Sequence, residues 1–243
     1  METKRLAPEA KFSIWLAALL IFAFAAASFA SQKKRSEAPA GVFAQDKGRL
    51  TIKLDGQIVG HEDFEIAPAA GGWLAKGNAE IKPSQGGASK VSGSLALQPD
   101  GAPISYEWTS QAEKTNAANI IFDNGTAKMT LQMQGSRPFD QTFSFGTPFI
   151  AVLDNNLYDQ YGVLARLYDW SKGGSQSFPV LIPQELMPGT ITAQSTGSAT
   201  IEGKSYEGFR VNTTDLEVDL YLDSNHRLMR LEVPTAKVSV VRD

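Results

Sequence analysis

From Gly48 to the C-terminus, apolar and polar residues alternate in short runs, broken by Gly, Pro, Asp or Asn about every 8 to 12 residues. A period of two sends neighbouring side chains to opposite faces, so each run predicts a strand with one dry and one wet face. The first runs are 49–54 and 57–66. Asp55-Gly56 between them suits the left-handed positions of a tight hairpin turn, which would set Ile52 opposite Val59 and Leu50 opposite His61. Further runs lie at 72–82, 89–98, 104–111 and 119–123. A second such turn, Asn124-Gly125, leads into 126–133, and 139–145 follows.

The last third carries the sharpest pattern. Leu216, Val218, Leu220 and Leu222 alternate with Asp215, Glu217, Asp219 and Tyr221. A four-residue turn at 223–226 predicts Val218 opposite Leu231, Leu220 opposite Met229 and Leu216 opposite Val233. The wet face then pairs Asp219 with Arg230 and Glu217 with Glu232, and a Thr213-Thr214 turn brings Arg210 beside Glu217. Two facing glutamates near an arginine could tune a carboxyl for acid–base work. A solvated face of cross-strand ion pairs accounts for the same residues more simply.

One segment breaks the alternation. Thr147-Pro148 reads as a helix start, and Ile150, Leu153, Leu157, Tyr161, Leu164 and Tyr168 then recur at helical spacing. Asn155, Asn156 and Gly162 weaken the propensity, so one helix or two with a kink fit the segment from 147 to 171. Strands resume at 177–182, 190–195, 199–202 and 205–212 and continue to Val241. The fold class expected is mainly β: one large curved antiparallel meander sheet, with the helical insert packed on its concave face.

Ahead of this domain, 12–30 is uncharged, preceded by Lys4, Arg5 and Lys11 and closed by Ser28-Phe29-Ala30. It predicts an N-terminal hydrophobic helix within a targeting segment, 1–35. Small residues at its end favour a cleaved signal peptide; Lys33-Lys34-Arg35 just beyond favours a retained anchor. Both place the domain in the periplasm or cell envelope, behind a tether at 36–47, with 48–243 as a single domain. Membrane contact is expected only through the N-terminal helix.

Charge sharpens this division. The whole chain carries −3, but from Ser36 onward 17 basic residues face 24 acidic ones, a net of −7. An acidic domain argues against a nucleic-acid partner. The absence of cysteine removes disulfides, thiolate metal sites, a cysteine nucleophile and a lipid-modified N-terminal cysteine. No G-x-S-x-G, P-loop or H-E-x-x-H motif occurs. His61-Glu62-Asp63 is the densest polar trio, yet alternation sends Glu62 to the face opposite His61 and Asp63. His61 reads as a rim residue and His226 as a turn residue. No catalytic residue, metal site or cofactor is expected.

The runs 56–64, 153–161 and 180–183, with the closing 228–234 and 241–242, resemble two groups. One is the LolA/LolB-like half-barrel proteins of lipoprotein localisation. The other is an uncharacterised envelope family that also occurs as the N-terminal module ahead of some secreted α/β-hydrolases. The resemblance implies an open, strongly curved sheet with helices on its apolar side, and it carries over no catalytic residue. The function expected is a non-catalytic carrier or binding module for an apolar ligand, lipid or acylated protein. Its candidate ligand-binding residues are Phe149, Leu153, Leu157, Tyr158, Tyr161, Leu164, Tyr168 and Trp170. A structural or protein-interaction module tethered by an uncleaved N-terminal helix is the alternative.

Overall fold

The computed structural model describes residues 43–84 and 86–243. The expected targeting segment 1–35 with its expected hydrophobic helix, and the expected tether residues 36–42, lie outside the described residues. Residues 43–47 of the expected tether belong to the domain: Phe43 is buried in the core and the first strand opens at Asp46.

Eight strands form the first half of one sheet: β1 (Asp46–Leu54), β2 (Gln57–Ala69), β3 (Gly72–Ile81), β4 (Ser89–Leu97), β5 (Pro103–Gln111), β6 (Thr115–Asp123), β7 (Thr126–Met133) and β8 (Phe139–Ser144). The second half comprises β9 (Ala151–Val152), β10 (Gln176–Ile182), β11 (Met187–Ile201), β12 (Lys204–Asn212), β13 (Glu217–Leu222), β14 (Leu228–Val233) and β15 (Val238–Arg242). The sheet order runs from β8 inward to β1, across to β15, and outward again to β9. The chain therefore starts at the middle, winds to one edge, crosses to the other edge and winds back. The first and last strands pair, with Leu50 opposite Arg242.

Every pairing is antiparallel except β9 with β10, which makes the sheet mixed rather than purely antiparallel as expected. It is curved but not closed, since β8 and β9 remain its two ends. The first half nevertheless approaches the second where Gln141 Nε2 donates to the Leu186 carbonyl at 3.4 Å.

Alternation holds strand by strand. In β13 Val218, Leu220 and Leu222 are buried while Glu217, Asp219 and Tyr221 are half-exposed. Both tight turns form as expected, with Asp55, Gly56, Asn124 and Gly125 all at positive φ. The registers differ from simple counting. A bulge between Ile52 and Lys53 sets Ile52 opposite Gly60 and Leu50 opposite Glu62. The β13–β14 connection takes five residues, with a bulge at Tyr221/Leu222, so Leu220 faces Leu231 and Asp219 faces Glu232. A shift of two keeps every apolar residue on the same face, so the pattern alone could not choose between these registers.

The insert is shorter than its apolar stripe. Helix α1 covers only Asp159–Leu167, nine residues. Ile150, Leu153 and Leu157 are buried, but from the positions flanking β9 and from an irregular turn. That turn is closed by a bridge between Asp154 and Leu157 and has Asn156 at φ +71°. Two adjacent asparagines favour such a turn over a helical start. α1 packs on the concave face against β3 and β14. At its C-terminal end Arg166 donates to the Ala44 carbonyl at 2.6 Å and to Asp46 Oδ2 at 2.8 Å. Arg242 reaches the other Asp46 oxygen at 2.7 Å, so a single buried carboxylate ties the helix to the β1–β15 seam.

Candidate functional site

Two features share the concave face: a buried carboxyl cluster under the start of α1, and an apolar row leading from it to an open edge.

The cluster rests on two glycines. Gly77 and Gly93 are direct cross-strand partners on β3 and β4, at inward positions whose neighbours are Ala75, Ala79, Val91 and Leu95. A Cβ on Gly77 would lie 2.7 Å from Asp159 Oδ1 and 2.9 Å from Glu62 Oε1. One on Gly93 would lie 2.6 Å from the Tyr106 hydroxyl and 2.7 Å from Leu157. The missing side chains form a floor on which the 154–159 turn sits.

Glu62 is fully buried. Its Oε2 accepts the Tyr158 N–H at 2.7 Å and its Oε1 the Asp159 N–H at 3.1 Å. The start of α1 has no side-chain cap of its own, so a carboxyl group from β2 satisfies its free N–H groups. Burial pushes Glu62 well above the ordinary carboxyl range, and the facing Asp159 charge pushes it further. Burial also raises Asp159, against hydrogen bonds that lower it. Asp159 Oδ1 is buried without a hydrogen-bond partner among the described residues, beside Glu62 Oε1 over the same glycine. One proton held between the two groups satisfies both oxygens and removes one of two like charges.

A second network adjoins it. Asp154 accepts from the Tyr106 hydroxyl and from Gln184 Nε2. Its own N–H donates to Gln160 Oε1 at 2.5 Å, and Gln160 Nε2 donates to the Tyr106 hydroxyl at 2.9 Å. Burial raises Asp154 and, separately, Tyr106. The Trp108 indole N–H faces Asp154 and favours its charged form, yet makes no hydrogen bond among the described residues.

Trp108 also belongs to the apolar row. Cross-strand partners on the concave face run Gly93, Trp108, Ala118, Leu131, Phe139, from β4 to β8. Trp108 and Ala118 are buried, Leu131 is half-buried and Phe139 is 45% exposed. Met133, two residues along β7 on the same face, is 41% exposed. At its inner end Leu157 lies over Gly93. The row is thus covered by the turn before α1 at one end and open at the other.

Of the residues expected to bind ligand, Leu153, Leu157, Leu164 and Tyr168 are buried in the packed core. Tyr158, Tyr161 and Trp170 are half-buried against it, and Phe149 is half-buried ahead of β9. Leu157 and Tyr158 reach the carboxyl cluster, whereas Tyr168 and Trp170 join Phe209 in an aromatic group at ring distances of 5.1 and 5.3 Å. Trp170 further stacks on His226 at 3.9 Å and 7°, and His226 Nε2 lies 3.2 Å from Glu207, so this histidine packs as well as turns. Sequence reasoning did not select Glu62, Gly77, Gly93, Tyr106, Trp108, Asp154, Asp159 or Phe139. The signal was present for Glu62, which shares the parity of the apolar Phe64 and Ile66.

The two-glutamate arrangement does not form. Arg210 binds Asp219 at 2.7 Å and Glu217 at 3.0 Å, while Glu232 is held by Arg230 at 2.5 Å, all on the outer face. Among the described residues, no three His, Cys, Asp or Glu side chains are placed to hold a metal ion, and no helix is long and apolar enough to cross a membrane.

No family model and no curated protein matches the sequence. The fold is similar to the crystal structure of a beta-barrel-like protein of domain of unknown function DUF1849 from Brucella abortus. The TM-score is 0.55 at 8% identity, over 82% of this chain and 94% of that one. A DUF1089 family protein from Pseudomonas aeruginosa aligns at TM-score 0.46 and 11% identity, over 84% of this chain and 98% of that one, too distant to argue from. The first likeness establishes a barrel-like fold and nothing finer.

Proposed function

We propose that the domain is a non-catalytic binding module of the cell envelope that takes an acyl chain or similar apolar ligand along the Trp108 row. The observation that carries this is a continuous apolar line passing from the dry core into solvent, ending in Phe139 at 45% exposure. From Trp108 to Phe139 it crosses three strand spacings, about 14 Å, a strip one side chain wide that suits a chain better than a globular partner. Among the described residues its surroundings carry no cluster of basic side chains that would call for a phosphate-rich ligand. Export rests on the uncharged segment 12–30. Kinship with the LolA/LolB-like half-barrels belongs to the same proposal, supported by an open curved sheet carrying a helix on its concave side.

Delipidated protein titrated with a fluorescent fatty acid tests the reading. Wild type is expected to bind, and Phe139→Asp to weaken binding at least about tenfold, roughly 1.4 kcal/mol. Equal binding by both proteins, or none by either, overturns it; the latter outcome returns the domain to the protein-interaction class.

A further inference from the structure

Among the described residues Glu62 meets no cation. Across from it stand Leu50 on β1 and Ala79 on β3. At the start of α1 it faces the Asp159 carboxyl, two backbone N–H groups and the Tyr158 ring, whose hydroxyl is raised by burial first and by Glu62 second. Beyond Asp159 lie Asp154, which feels the Asp159 charge, and Tyr106 on β5. Arg166 and Arg242, the interior arginines, are committed to Asp46 at the far end of the helix.

We propose that the Glu62–Asp159 contact is a proton-held latch on the concave face. With one proton shared, the 154–167 segment stays pressed on the Gly77–Gly93 floor. With none, two carboxylates face each other in a dry place and drive the start of α1 off the sheet. The segment then swings about Arg166 and Asp46, and Leu157 leaves the inner end of the Trp108 row. The helix is only nine residues long, and its start is held by Glu62, by the network of Asp154 with Tyr106 and Gln184, and by Leu157 packed over Gly93. Folding that traps a proton also fixes the sign. Both carboxyls titrate higher in the folded chain than in the unfolded one, so their contribution is full below the ordinary carboxyl range and is lost as pH rises through the folded values. Only access of ligand to the row rests on the binding function proposed above; the latch itself does not.

The experiment is thermal unfolding of the ligand-free protein from pH 5 to 9, for wild type, Glu62→Gln and Asp159→Asn, with hydrogen exchange at the Tyr158 and Asp159 amides. Glutamine is neutral at every pH, and its amide oxygen can accept one of the two N–H groups that Glu62 accepts. Relative to wild type, Glu62→Gln is expected to gain about 2–4 °C in Tm between pH 5 and pH 9. The two amides of wild type should open progressively with pH, beyond the intrinsic rise in exchange, while those of the variant follow the intrinsic rise alone. A wild-type to variant difference that does not change with pH overturns the latch. Should Glu62→Gln fail to fold, Asp159→Asn carries the same expectation and the same refutation. Fatty-acid titration at both pH values separates the two ideas. Binding without pH dependence sinks the control of access, whereas a pH-dependent Tm without any binding sinks the ligand and leaves the latch.

Discussion

The concave face has two ends built from the same sheet and the same alternation, and they behave in opposite ways. Beneath α1, inward positions carry Glu62, Gly77, Gly93 and Tyr106, and every one is sealed by the segment above. Where β7 ends and β8 begins, the inward positions carry Leu131, Met133 and Phe139, ordinary core residues, and two of the three are exposed, while Ala127, Met129 and Phe143 further along the same face are buried. Polarity and exposure are thus inverted with respect to the usual arrangement of a small domain. What separates the ends is the cover. Gly77 and Gly93 admit a polar turn to the sheet, and the same turn stops at Leu157 before reaching β7. A domain built only for stability would place apolar residues under the helix and polar ones at the open edge.

Three substitutions test how far this contrast goes. The largest effect is expected from Asp46→Ala, which leaves Arg166 and Arg242 buried without their shared carboxylate. Such a loss costs about 3–5 kcal/mol, read as a lower urea midpoint. A cost below about 1 kcal/mol, the scale of an exposed pair, would mean that the covered end is not held from its far side. Gly93→Val comes next. Its side chain would meet Tyr106 and Leu157, an overpacking worth about 1–3 kcal/mol. A neutral result would show that the turn has room to retreat and that the glycine floor is no constraint. Smallest is Phe139→Asp, expected to change stability by no more than about 0.5 kcal/mol while weakening fatty-acid binding at least about tenfold. If it unfolds the protein instead, the open end is core after all and the contrast disappears.

Much of the covered end was hidden from sequence by small local events. The strands were legible because alternation survives any even shift, as the β13–β14 pair illustrates by keeping Val218, Leu220 and Leu231 on one face under a changed register. The first hairpin shifted by one instead. The bulge at Ile52/Lys53 exchanged His61 for Glu62 as the partner of Leu50, and with it the residue that enters the core. The helix was misplaced for a related reason: Ile150, Leu153 and Leu157 fit a helical stripe and a buried turn equally well, and Asn156 decides between them through its positive φ. Gly77 and Gly93 read as weak points within strands, because the turn that fills their space is contributed by residues more than sixty positions away. Phe139 was legible as apolar, but its exposure depends on how far the turn before α1 reaches across the sheet, which no local pattern encodes.

The pairing of β1 with β15 has a kinetic meaning as well. Contacts such as Arg242 with Asp46 join residues 196 apart in sequence, and neither half-sheet has a mate for its central strand until the last strand has been made. Loop closure over that distance makes completion late and slow compared with the hairpins on either side. A nascent or clipped chain lacking the final strand would hold two meanders, each with an unpaired edge at what should be the centre. Both would be open to strand exchange with other copies until residue 242 arrives.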